Sequence, residues 1–94
     1  MSGNEVRIGQ LVSSIQGRDS GMFYLVVQIE NETRVRVADG EGRKVEKPKS
    51  KNIKHLKFYN TFAGNIFEKA QAGKRVTNED VRKELKSLVS QLPL

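Results

Sequence analysis

Residues 22–40 have the sequence MFYLVVQIENETRVRVADG. The first eight are rich in β-branched and aromatic side chains, which favour strands. After a short polar break, two valines alternate with Arg34 and Arg36. Because successive side chains of a strand point to opposite faces, this alternation places the arginines together on one face. The stretch therefore predicts a hairpin of two strands, 22–29 and 33–38.

The flanking segments extend this hairpin into a small sheet. A nearly continuous apolar centre predicts a first strand at 8–15, and the glycine-containing turn at 16–21 would join it to the hairpin. The pair at 39–40, Asp-Gly, tolerates the positive φ angles of tight turns, so the chain should reverse there. Further strands are expected at 43–46 and 53–58.

A basic loop at 47–52 separates the last two predicted strands. Pro48 lacks the N–H group that a strand ladder needs, and the rest of this segment is polar. Five short strands joined by tight turns predict a mostly β fold in the form of a small barrel.

The hydrophobic periodicity becomes helical after residue 60. One amphipathic helix is predicted from a cap at Asn60 or Thr61 to a stop at Gly73, and a second from a cap at Thr77 to Pro93. Docking on the barrel and docking on a partner are both compatible with the apolar faces of these helices. The predicted organisation is a flexible N terminus, a barrel and a helical C-terminal extension, at residues 1–5, 6–59 and 60–94.

The residues that enzymes and metal sites use are scarce. The chain has no cysteine, which excludes a disulfide framework, a thiolate zinc site and a thiol nucleophile, and it has a single histidine, His55. Asp19, Asp39 and Glu41 stand at turn positions, where backbone capping explains them better than catalysis. We therefore expect no catalytic residues, no metal site, no cofactor and no small-molecule substrate.

The sequence shows no sign of a membrane association. It has no apolar stretch of the length that a transmembrane helix requires. The first seven residues do not resemble the start of a signal peptide. A cytoplasmic location without a membrane partner is expected.

The positive charge is concentrated in the middle of the chain. The net charge is +6, and residues 34–57 hold nine Lys or Arg against three Asp or Glu, which equals the whole excess. Such a block is typical of polyanion binders, and the alternative is a lysine-rich surface that serves only solubility. Lysine contacts phosphates without reading bases, whereas arginine adds bidentate contacts. The candidate contacts are Arg34, Arg36, Arg43, Lys44, Lys47, Lys49, Lys51, Lys54 and Lys57.

Few aromatic residues are free to stack on bases. Most fall at positions that the strand and helix patterns assign to the core. Tyr59, which follows the basic block, is the candidate for base stacking, with core packing as its alternative.

The order of glycines and apolar strands resembles that of the KOW-motif RNA-binding proteins. The motif places an apolar strand after a glycine, then a glycine-containing turn, then a second apolar strand. The corresponding segments are IGQLVSSI at 8–15, GRDSG at 17–21 and YLVVQI at 24–29. The segments 34–40, 43–45 and 54–56 are similar to small bacterial KOW proteins and to a large-subunit ribosomal protein of archaea and eukaryotes.

This resemblance implies an SH3-like five-stranded barrel that binds ribosomal or other structured RNA without a cofactor. It also implies that Arg18, in the first turn, contacts phosphates. The motif commonly has a basic residue at the position of Ser20, so the chain departs from it there. The helical segment at 60–92 has no counterpart in the motif. The glycines with an expected structural role are Gly9, Gly17 and Gly21 of the motif, together with Gly40 of the Asp-Gly turn.

Two hypotheses about function follow. The first is an RNA-binding protein that associates with the ribosome and acts in translation or in ribosome assembly. The second is a protein-interaction adaptor of the transcription or translation machinery, with partners such as ribosomal proteins. Binding through phosphates weakens with salt, whereas binding through apolar surface survives it. Salt dependence therefore separates the two hypotheses.

Overall fold

The chain folds into a five-stranded antiparallel sheet followed by two helices. The computed structural model describes residues 6–93, so the N-terminal segment 1–5, predicted to be flexible, lies outside the described residues. The strands are β1 (Gln10–Ser14), β2 (Phe23–Ile29), β3 (Arg34–Ala38), β4 (Lys49–Asn52) and β5 (Leu56–Phe62). A turn of 3₁₀ helix, Ile53–His55, joins β4 to β5, and the α-helices are α1 (Gly64–Gln71) and α2 (Asn78–Ser90).

The strands pair in the order β4-β3-β2-β1-β5. Register shifts interrupt the β1–β5 ladder between Gln10 and Val12 and the β2–β3 ladder between Val26 and Gln28. Such bulges bend strands and increase their twist, which curls the sheet. The predicted mostly β class with a helical C-terminal part is confirmed. Within residues 6–93, however, no ladder joins β4 to β5, so the sheet is not a closed barrel.

The fourth strand lies later in the chain than predicted. Residues 43–46, expected to form a strand, belong to a loop in which the Val45 N–H donates to Asn78 Oδ1 of α2 at 2.8 Å. The strand begins only after Pro48, where the missing N–H group costs no ladder bond. Most of the segment predicted to be a basic loop is therefore β4.

The fifth strand is also displaced toward the C terminus. The segment 53–55, expected to begin this strand, is helical because Asn52 Oδ1 accepts a hydrogen bond from the Lys54 N–H at 2.8 Å. The strand then continues to Phe62. The sheet thus includes residues that the sequence pattern assigned to the helical extension beyond residue 59.

The helix starts illustrate when a local capping signal is decisive. The first helix begins at Gly64 and not at the predicted cap of Asn60 or Thr61, because β5 occupies those residues. The second begins as predicted, since the Thr77 side chain accepts from the Asp80 N–H at 3.1 Å and the Asp80 carboxylate accepts from the Thr77 N–H at 3.0 Å. This reciprocal pair is a capping box.

Strands β1 and β2 are buried on both faces. One face packs against the helices through Leu11, Leu25, Ala63, Ile66, Val81 and Leu88. The other face lies inside the curled sheet and packs through Val12, Tyr24, Val26, Val35, Val37 and Leu56. Burial on both faces accounts for the nearly continuous apolar centres of these strands. Because both helices contribute to the first cluster, they dock on the sheet of their own chain.

The turn after β3 lies directly against α2. Gly40 has a φ of +81°, and a Cβ built on it would lie 2.5 Å from the Asn78 carbonyl oxygen. The Gly40 carbonyl accepts a hydrogen bond from Arg82 Nη1 at 2.7 Å. Only glycine combines this backbone conformation with so close an approach. The other glycines with an expected structural role, Gly9, Gly17 and Gly21, also have positive φ, at +90°, +93° and +92°.

Replacing Gly40 by alanine should destabilise the protein more than Gly21→Ala. Both changes force a side chain into positive φ, which costs about 1 kcal/mol. A methyl group at Gly21 would meet no atom within 4 Å, whereas one at Gly40 would meet the backbone of α2. We expect the free energy of unfolding, measured in urea, to fall by about 1 kcal/mol for Gly21→Ala and about 3 kcal/mol for Gly40→Ala. Equal losses would show that α2 can move away from this turn freely.

Candidate nucleic-acid interface

Pairing between β3 and β4 sorts the predicted basic residues onto two faces. Lys51 lies opposite Val35, and Lys49 lies opposite Val37. Directly opposed residues share a face of the sheet, and both valines are buried, so the two lysines point inward. The arginines of β3 occupy the alternate positions and point outward.

The inward-pointing lysines meet Asp19, which lies in the turn between β1 and β2. Asp19 Oδ1 accepts hydrogen bonds from Lys51 Nζ at 3.0 Å and from Ser14 Oγ at 2.8 Å. Asp19 Oδ2 accepts from the Tyr24 hydroxyl at 2.8 Å and from Lys49 Nζ at 3.3 Å. We call these five residues the Asp19 cluster. Among the described residues, the Asp19 carboxylate therefore accepts hydrogen bonds from side chains and not from backbone N–H groups. The interpretation of Asp19 as a backbone cap is wrong.

Lys51 is a structural residue in this arrangement. It is 7% exposed, and its ammonium group also donates to Ser14 Oγ at 3.0 Å. It is thus not available as the phosphate contact that the sequence analysis predicts. Lys49 is more accessible, but its ammonium group is also paired with Asp19.

Burial and hydrogen bonding act in opposite directions on the Asp19 carboxyl group. Burial opposes its ionisation, but the hydrogen bonds from Tyr24, Lys51, Ser14 and Lys49 outweigh burial and hold the pKa of Asp19 well below its ordinary value. Burial and the hydrogen bond to Asp19 together raise the pKa of Tyr24. At neutral pH the cluster therefore contains a carboxylate that accepts from a neutral phenol and two ammonium groups.

The outward-pointing arginines belong to a second polar network on the opposite side of β3. Glu30 Oε2 accepts from Arg36 Nη2 at 3.1 Å, and Glu30 Oε1 accepts from Ser50 Oγ at 2.5 Å. Arg34 Nη1 lies 3.4 Å from Ser50 Oγ. The hydrogen bonds from Ser50 and Arg36 lower the pKa of Glu30. We call Glu30, Arg34, Arg36 and Ser50 the outer-face network.

The other predicted basic residues lie on exposed loops and strand positions. The ion pairs found within residues 6–93 involve Arg36, Lys49, Lys51, Lys69 and Arg75. The remaining predicted basic residues therefore have no carboxylate partner within that range. Arg43 is half-buried. The exposed members are Arg18, Lys44, Lys47, Lys54 and Lys57.

Two of these exposed lysines have clearly different surroundings. Lys54 lies in the 3₁₀ turn, whose first N–H, that of Ile53, donates to the Thr33 carbonyl at 2.9 Å. This bond places Lys54 beside the start of β3 and so close to the outer-face network. Lys47 instead follows Glu46, whose carboxylate accepts from Asn78 of α2 at 2.9 Å. The positive charge of that loop is therefore partly offset by a fixed acid.

Tyr59 is held by the protein itself. Its hydroxyl is hydrogen-bonded to Ser13 Oγ at 3.0 Å, and its ring centroid lies 5.8 Å from that of Phe23. Lys57 Nζ lies 5.0 Å from the centroid of the Tyr59 ring. The ring also packs against the core cluster under the helices. These contacts favour core packing for Tyr59 over base stacking.

An exposed aromatic residue was missed by the sequence analysis. The helical pattern places Phe62 among the aromatic residues expected in the core, but Phe62 is 36% exposed, and its ring meets that of Phe67 edge to face at 5.8 Å. The guanidinium carbon of Arg7 lies 5.0 Å from the Phe62 centroid. The helical spacing after residue 60 suggested burial, whereas Phe62 ends a strand and is only partly covered.

Neither a membrane-spanning helix nor a metal-binding cluster of His, Cys, Asp or Glu side chains occurs in the part of the chain that the structure describes. No helix there is both long and apolar enough to cross a membrane. The same residues contain no group of three or more His, Cys, Asp or Glu side chains that could hold a metal ion.

Asp19→Asn should lower the free energy of unfolding at pH 7 by about 2 to 4 kcal/mol. Asparagine keeps the shape of the side chain but leaves the buried Lys51 ammonium without a counter-ion. A carboxyl group whose pKa is depressed by folding contributes stability above its ordinary pKa of about 4, and this contribution is lost as the pH falls below that value. The difference between the parent protein and Asp19→Asn should therefore shrink in urea denaturation below about pH 4.

Glu32→Gln is the matched control, because it removes the same charge from an exposed residue and should change stability by less than about 0.5 kcal/mol. Adding Lys51→Met to Asp19→Asn should restore part of the stability, since the unpaired buried charge is then absent. The interpretation fails if Asp19→Asn costs no more than Glu32→Gln.

No protein-family model matches the chain. The chain is similar to a Bacillus subtilis (strain 168) protein named "Putative ribosome-binding protein YbzG". The two are 37% identical over 71 residues, which cover 76% of this chain and 96% of the relative. The similarity extends over nearly the whole relative and is not confined to a short motif. The chain therefore belongs to the same family as YbzG.

Proposed function

We propose that this protein binds the ribosome by contacting phosphates of ribosomal RNA with its exposed basic residues. It acts by binding and not by catalysis, in translation or in ribosome assembly. The observation that carries the proposal is the family relationship to a protein whose name states ribosome binding.

The distribution of charge supports RNA as the part of the ribosome that is contacted. RNA presents a dense array of phosphates, and affinity for it comes largely from Lys and Arg that neutralise them. The chain carries a net charge of +6. Arg34, Lys54 and Lys57 are exposed, and Arg34 lies beside the 3₁₀ turn that carries Lys54, because Arg34 pairs with Asn52 at the start of that turn. This region is the proposed centre of the contact.

The backbone supports a KOW-type domain as the scaffold of this proposal. The resemblance to the KOW motif falls on Gly9, Gly17 and Gly21, and all three have positive φ. A 3₁₀ turn precedes the last strand of a curled five-stranded antiparallel sheet. These features are compatible with an SH3-like arrangement in which turns and strand edges present the basic residues to a ligand.

Affinity for ribosomal RNA should decrease steeply with salt. Each neutralised phosphate contributes roughly −0.7 to −0.9 to the slope of log affinity against log salt, so four contacts give about −3. Fluorescence anisotropy with labelled ribosomal RNA fragments, and cosedimentation with Bacillus subtilis ribosomes, measure this slope. Binding to ribosomes that is insensitive to salt, without affinity for the free RNA, would support the adaptor hypothesis instead.

Lys54→Gln combined with Lys57→Gln should weaken RNA binding more than Lys83→Gln combined with Lys86→Gln. Both double variants remove two exposed lysines, but the second pair lies on α2 and not on the 3₁₀ turn and β5. The first variant should reduce the magnitude of the salt slope by about 1.5, because two phosphate contacts are lost. Equal effects of the two variants would mean that only the net charge attracts RNA.

A further inference from the structure

The outer-face network contains an acidic residue where a polyanion-binding surface should avoid one. Glu30 lies against the two arginines of β3, and its carboxylate partly cancels their charge. For a surface that attracts RNA by charge alone, this acid is unfavourable. Its contacts indicate that it has another effect, because both of its oxygens are hydrogen-bonded to β3 and β4 side chains.

Glu30 is itself held in a defined position. Its N–H donates to the Arg34 carbonyl at 3.0 Å, which closes the turn between β2 and β3. Within that turn Asn31 Oδ1 accepts from the Thr33 N–H at 2.9 Å and from the Arg34 N–H at 3.0 Å. The Glu30 carboxylate thus extends from a turn whose backbone is fixed by hydrogen bonds. The carboxylate can therefore hold the Arg36 and Ser50 side chains in position.

The geometry of Arg36 shows what Glu30 does. Glu30 binds Nη2 of Arg36, while Nε of the same guanidinium is buried and has no hydrogen-bond partner among the described residues. An unpaired buried N–H is unfavourable, so a freely moving Arg36 would turn this group toward water. The contact with Glu30 therefore holds the guanidinium in this orientation.

The orientation leaves part of the Arg36 side chain accessible to a ligand. The side chain of Arg36 is 42% exposed, and Arg34, two residues before it on the same face, is exposed as well. Guanidinium groups bind phosphate oxygens through pairs of parallel N–H donors, and a fixed orientation reduces the entropy lost when these bonds form. Ser50 lies between the two arginines and bonds to Glu30, so it aligns the two sides of the site.

We propose that Arg34 and Arg36 form a preorganised binding site for an RNA phosphodiester group, and that Glu30 is its positioning residue. The inference rests on the proposed function and goes beyond it by assigning one phosphate to one site. Glu30 does not touch the RNA in this arrangement. It lowers the charge of the surface and still raises its affinity, because it fixes the donors of Arg36.

The test is Glu30→Gln, with Glu32→Gln as the matched control. Both remove one negative charge from the same turn, but Glu32 is exposed and has no hydrogen-bond or ion-pair partner among the described residues. Charge alone predicts that both variants bind a labelled ribosomal RNA fragment more tightly. Positioning predicts that Glu32→Gln binds as tightly as the parent or more so, whereas Glu30→Gln loses affinity roughly three- to tenfold at equal salt.

A double-mutant cycle separates positioning from a general structural effect. In an Arg36→Gln background, Glu30→Gln should no longer weaken binding, since the group that it positions is absent. Ser50→Ala, which leaves the net charge unchanged, should also weaken binding, and it keeps the inference testable if Glu30→Gln does not fold. Equal or tighter binding by folded Glu30→Gln, or the same loss with and without Arg36, would overturn the inference. Absence of RNA binding by the parent protein would instead overturn the proposed function.

Discussion

The carboxylate of Asp19 connects parts of the sheet that no strand ladder connects. It belongs to the turn after β1 and binds both inward-pointing lysines of β4, at 3.0 Å and 3.3 Å. Since β4 and β5 do not pair within the described part of the chain, these contacts help to fix how far the sheet curls. They also require Lys49 and Lys51 to face inward, and the alternation along β4 and β3 then turns Ser50 and both arginines outward. The orientation of the candidate interface therefore depends on an acid that is not part of it.

The same cluster explains which strands could be predicted. The first three strands and α2 carry local signals, namely apolar alternation, glycine-containing turns and a capping box, and they lie close to where these signals place them. The fourth strand has no such signal, because lysines occupy the inward positions at which apolar residues are expected. Their aliphatic stems can cover apolar surface while Asp19 neutralises their ammonium groups. Inward-pointing charges on an edge strand also discourage pairing with another chain.

For the candidate site, the sequence showed the sign of the charge but not its division between faces. When charged residues are counted along the sequence, Lys51 and Lys54 contribute equally to the positive charge. In the structure Lys51 is buried in an ion pair, whereas Lys54 is exposed. In the same count, Glu30 only lowers the net positive charge. Its contacts with Arg36 and Ser50 join a turn residue to two different strands, so they depend on the strand register, which sequence periodicity alone does not define.

The burial of β1 and β2 on both faces has a consequence for synthesis of the protein. Leu11 and Leu25 are translated early, whereas Val81 and Leu88, which cover them, are translated at the other end of the described chain. While the chain grows from its N terminus, the sheet can acquire its inner core, but its helix-facing side stays uncovered until α2 leaves the exit tunnel. The complete core can therefore form only after α2 has left the exit tunnel, and until then the nascent sheet has an uncovered apolar side.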